Sequence, residues 1–76
     1  MKTANIMLNT INDVKDFVAA VNKYDFDVDL ISGRYAVDAK SIMGIFSLDL
    51  SKPIALQAHC ENCAEFDADM ANFIIG

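Results

Sequence analysis

Val37-Asp38-Ala39-Lys40-Ser41-Ile42-Met43-Gly44-Ile45-Phe46-Ser47-Leu48 decides the reading of this chain. A strand with charged residues runs into a serine, and the serine opens a short apolar turn. Ser41 has the position of a helix cap, where a side-chain oxygen accepts from a free amide. Ile42, Met43, Ile45 and Phe46 then make a helix from Ser41 to about Ser47 that is apolar most of the way round. One sheet face cannot bury all four, so part of this helix is expected to lie exposed as a contact surface.

Upstream, Phe26-Asp27-Val28-Asp29-Leu30 alternates without a break and predicts a strand. Ser32-Gly33 supplies the turn, and Tyr35 to Ala39 returns as its partner. Further back, Thr10-Ile11-Asn12-Asp13 has the form of a capping box. Val14, Phe17, Val18 and Val21 follow on one face of a helix from about Ile11 to Asn22. Ala4 to Leu8 reads as a first strand. Downstream, Pro53 opens a strand over Ile54 to Cys60. A last helix is predicted from about Cys63 to Ile75, with Cys63, Phe66, Met70, Phe73 and Ile74 on its apolar stripe.

The order is β-α-β-β-α-β-α. It predicts an α+β open-faced sandwich, a four-stranded antiparallel sheet with all helices on one face. Phe17, Val21, Val28, Leu30, Leu56, Phe66 and Met70 are expected between the layers. At 76 residues the chain reads as one domain, residues 1–76. A chain this short buries only about 60% of its unfolded surface, so its core positions are sensitive.

Six basic residues face eleven acidic ones, a formal charge of −5. That balance argues against nucleic acid, which asks for clustered Lys and Arg, and against anionic membranes. No apolar run has the length of a membrane span, and no leader pattern is read at the start. A cytoplasmic monomer with a protein partner and no cofactor is the expectation. Cys60 and Cys63 are then expected to stay reduced and to face the core. A metal site would need two such spacings, and only one exists. A small thiol or metal-binding protein acting through Cys60 and Cys63 remains an alternative. His59 is expected on the solvent side of the sheet. Asp25, Asp27, Asp29, Asp67 and Asp69 read as solvated faces. Nothing pairs as a catalytic dyad, so the chain reads as a binding module and not an enzyme.

From about Val18 to Cys60 the chain resembles HPr, the phosphocarrier family of the bacterial sugar phosphotransferase system. Lys23-Tyr24-Asp25 and Lys40-Ser41-Ile42-Met43-Gly44 are the most specific pieces. The resemblance implies the same element order, reached independently of periodicity. It implies that Ser41 is a regulatory serine, phosphorylated by an HPr-type kinase, and that Ile42, Met43 and Phe46 dock partner proteins. Phosphotransferase-system or catabolite-control proteins would be those partners.

One end departs from the family pattern. Counting back from Lys23 without gaps, the family's phosphorylated histidine falls on Thr10, its arginine on Asn12 and its proline on Asp13. The implied reading is a degenerate HPr-like protein that has lost the acceptor and acts through the Ser41 helix. The alternative is a genuine phosphocarrier, and the absence of any His before His59 stands against it.

Overall fold

The computed structural model describes residues 1–61 and 63–75. The strands are β1 (Lys2–Ile6), β2 (Val28–Ser32), β3 (Tyr35–Asp38) and β4 (Ile54–Ala58); the helices are α1 (Ile11–Val21), α2 (Ile42–Phe46) and α3 (Ala64–Met70). They form one antiparallel sheet in the order β1-β4-β2-β3. Ile6, Val28, Leu30, Ile54, Leu56 and Ala58 are buried on the face that meets the helices. Val14, Phe17 and Val21 of α1, Ile45 of α2, and Phe66 and Met70 of α3 cover them. The seven residues expected between the layers are all buried. No polar or charged side chain is buried among the described residues. Packing and the hydrophobic effect therefore hold the layers together.

α1 begins as its sequence predicts. Asp13 N donates to Thr10 Oγ1 at 3.0 Å, and Thr10 N donates back to Asp13 Oδ2 at 3.1 Å. β2 starts two residues later than the alternation suggests. Phe26 stays outside the strand because it joins an aromatic cluster with Tyr24 and Phe66, ring centroids 5.3 Å apart in each pair. Gly33, at φ 61°, makes the β2–β3 turn in a backbone region that side chains rarely adopt.

The last helix is shorter than its apolar stripe predicts. It ends at Met70, and the chain turns to meet the outer edge of β1. Met7 N donates to Phe73 O, Ile75 N donates to Asn5 O, and Ile74 bridges Ile6. An edge strand leaves backbone groups unpaired, and this tail satisfies two of them, Asn5 O and Met7 N, at the far end of β1. Phe73 still packs, edge-on to Phe17 at 5.4 Å.

Candidate functional site

α2 lies against β3 at close range. A Cβ added to Gly44 would sit 3.3 Å from Val37 Cβ, so glycine permits the approach. Ser41 is the exposed N-cap and accepts from Gly44 N at 3.3 Å. Of the four apolar residues, Ile45 is buried and Ile42 half-buried. Met43 is 76% exposed and Phe46 41% exposed. The short helix thus presents an apolar surface beside an accessible hydroxyl. The Lys40 ammonium is engaged with the backbone. It donates to the Tyr24 carbonyl at 2.7 Å, while Asp38 Oδ1 accepts from Lys40 N.

The start of α1 is a different kind of place. Asp13 Oδ2 accepts from Asn9 N at 3.0 Å as well as from Thr10 N. The carboxylate therefore sits on the free amides that precede the helix. Asn12 and Asp16 are exposed beside it, and Asn12 adds no positive charge. Thr10 follows the Ile6 end of β1, which pairs with Ile54. His59 follows Ala58, which pairs with Lys2. The two positions lie at opposite ends of β4. His59 Nε2 faces Asp29 Oδ2 at 3.0 Å on the open side of the sheet.

Three aspartates expected to be merely solvated have partners. Asp29 meets His59. Asp67 lies 3.5 Å from Lys2. Asp69 accepts from the Tyr24 hydroxyl and pairs with Lys23 at 2.9 Å. The hydrogen bond to Asp69 is the main cause of a Tyr24 pKa raised to about 12, and the Tyr24 and Lys23 bonds lower the Asp69 pKa. Charge spacing along one segment could not reveal pairs that join distant parts of the chain.

The cysteines also depart from expectation. Cys60 and Cys63 are joined as a disulfide, with Cα atoms 6.2 Å apart. Cys60 lies just past β4 and Cys63 is the N-cap of α3, both half-buried. The strand and the helix each stop short of the cysteine assigned to them, and the two sulfurs meet between those elements. Among the described residues, no three His, Cys, Asp or Glu side chains gather as a metal site. Nor is any described helix long and apolar enough to cross a membrane.

The family model described as "PTS HPr component phosphorylation site" matches residues 13–73. The chain belongs to the HPr family. Its matched segment begins at Asp13 and so leaves Thr10 outside. The fold is that of solved HPr structures. HPr-C-His from Thermoanaerobacter tengcongensis superposes with a TM-score of 0.79 at 25% identity, covering 95% of this chain and 89% of that one. The phosphocarrier protein HPr from Bacillus anthracis str. Ames gives 0.73 at 20% identity, covering 97% and 96%. No curated protein matches the chain. Proteins of this family carry phosphate between other proteins of the phosphotransferase system, in the role of carrier and not of catalyst.

Proposed function

We propose that this HPr-family protein has lost phosphate transfer at the start of α1 and works as a cytoplasmic regulatory module that binds proteins through α2. The observation that carries the reading is the closed capping box. Phosphate passed between proteins at intermediate energy needs an imidazole nitrogen as acceptor. A threonine would form a low-energy ester that returns its phosphate poorly. A phosphate also needs positive potential and free amides, which helix starts otherwise supply. Here the Asp13 carboxylate holds the Asn9 and Thr10 amides, and its charge repels the incoming anion.

On this reading α2 retains the family's other role. Ser41 is the acceptor for an HPr-type kinase, and Ile42, Met43 and Phe46 form the docking surface for phosphotransferase-system or catabolite-control proteins. The exposure of Ser41 and Met43 supports the assignment. A phosphate on Ser41 places about −1.5 to −2 charges among these apolar side chains, so binding should respond more than folding does.

Incubation with phosphoenolpyruvate and the general phosphotransferase enzyme tests the loss. The chain should stay unlabelled, while a Thr10→His/Asn12→Arg/Asp13→Pro variant should take up phosphate. Acid-labile, base-stable phosphate on the unaltered chain would restore the carrier reading.

A further inference from the structure

We propose that Cys60 and Cys63 form a reversible dithiol–disulfide site that exchanges two electrons with a dithiol reductant. Three features support it. The bond joins residues only three apart in sequence. Loop-closure stabilisation grows with the length of the loop closed, so this crosslink is placed where it adds little to folding. Neither cysteine is sealed in the core, since both are half-buried, and an attacking thiolate needs access to sulfur. Finally, Cys63 lines a surface groove with Tyr24, Phe26, Ala64, Glu65 and Phe66. That groove opens Cys63 to the surface and gives a small dithiol a route to it.

The exchange balances as follows. A thiolate of the reductant attacks one sulfur of the Cys60–Cys63 bond. A mixed disulfide forms and the other cysteine leaves as thiolate, which takes up a proton. The reductant's second thiolate then attacks its own sulfur in the mixed disulfide. The second cysteine is released and protonated. The protein gains two electrons and two protons, and the reductant ends as a disulfide. Reduction unlinks the end of β4 from the start of α3. It leaves the sheet pairing and the buried Phe66 and Met70 contacts in place.

The test uses the full chain in buffers of graded reduced-to-oxidised dithiothreitol, with thiols trapped by iodoacetamide and counted by mass. We expect no reactive thiol at the oxidised end, two at the reduced end and one joint transition between them. Circular dichroism should stay native throughout. Each single variant, Cys60→Ser or Cys63→Ser, should hold one equivalent of glutathione as a mixed disulfide. Free thiols persisting at the oxidised end would overturn the proposal and make the pair simple packing residues. A bond reduced only after denaturant is added would overturn it equally, making the bond a structural staple.

Discussion

Removing either half of the α1 capping box should destabilise the fold by a predictable amount, and removing both should cost less than the sum. Thr10→Ala deletes the oxygen that accepts from Asp13 N at 3.0 Å. Losing an N-cap hydroxyl costs about 1 kcal/mol. Asp13→Ala deletes an acceptor of two backbone N–H groups, Asn9 N and Thr10 N, and an acidic charge in the first turn. The dipole contribution is about 0.3–1 kcal/mol. The bonded amides are exposed and can turn to water, so only the net value of each bond is lost, about 0.5–1.5 kcal/mol. Water rebinding and chain fraying keep these from adding fully, and a total near 1.5–2 kcal/mol is expected. In a domain of this size each kcal/mol moves the melting midpoint by about 4–8 °C. Thr10→Ala should therefore melt some degrees below the parent and Asp13→Ala lower still.

Urea titration of the parent, both single variants and the double variant closes the cycle. The two side chains hold one another's backbone, so their coupling should reach at least about 0.5 kcal/mol. If both single variants fell within about 0.3 kcal/mol of the parent, or if the cycle closed additively, the box would not hold the helix start. Asp13 would then lack the hold on the Asn9 and Thr10 amides by which it closes this end to phosphate.

Three further outcomes are expected. Tyr24→Phe should flatten the acid limb of stability, because the Asp69 pKa is lowered chiefly by the Tyr24 bond; the stability it contributes is present above the unfolded carboxylate pKa and is lost as pH falls through the lowered value. Circular dichroism between neutral and acid pH reads this out, and unchanged acid sensitivity would refute it. Met43→Asp should leave the melting midpoint within about 0.5 kcal/mol of the parent, since Met43 is 76% exposed, and should abolish capture of proteins that the parent retains. Phe66→Ala should cost about 3–5 kcal/mol, a large share of the few to about 11 kcal/mol that a domain of this length has; a loss under 1 kcal/mol in denaturant titration would mean the aromatic cluster is not well packed.

The fold was legible because each local signal had one solution. Val14, Phe17 and Val21 could face the sheet only as a helix, and Val28 and Leu30 only as a strand. Both sets are buried as their spacing requires. The errors fell where distant segments decide the outcome. Phe73 and Ile74 continue the helical stripe, yet the open edge of β1 draws them out of it. Phe26 continues the alternation, yet Tyr24 and Phe66 hold it outside the strand. Tyr24 with Asp69 and His59 with Asp29 are separated by 45 and 30 residues, beyond any local pattern. The α1 cap, in contrast, joins residues three apart, and the exchange between Thr10 and Asp13 was readable. The disulfide was readable as a spacing but not as a bond, because composition speaks to a compartment and only the folded chain beyond β4 brings the two sulfurs together.

The start of α1 shows why a phosphate carrier and a well-capped helix compete for the same atoms. A carrier must leave the first amides of the helix unsatisfied, so that a transient phosphate can take their hydrogen bonds and meet the positive end of the dipole. That vacancy lowers the stability of the unphosphorylated state. A carboxylate three residues into the helix fills part of that vacancy, as Asp13 does at the Thr10 amide, 3.1 Å away, and at the preceding Asn9 amide, 3.0 Å away. On the proposed reading, the gain in helix stability and the loss of phosphate affinity come from the same carboxylate. Restoring transfer should therefore require opening the box as well as supplying an imidazole. Thr10→His alone, with Asp13 kept, should accept phosphate far more slowly than Thr10→His/Asn12→Arg/Asp13→Pro. The initial rate of label uptake from phosphoenolpyruvate, compared between the two variants, measures this. Equal rates would show that the missing imidazole is the whole of the defect and that the carboxylate at the helix start is incidental.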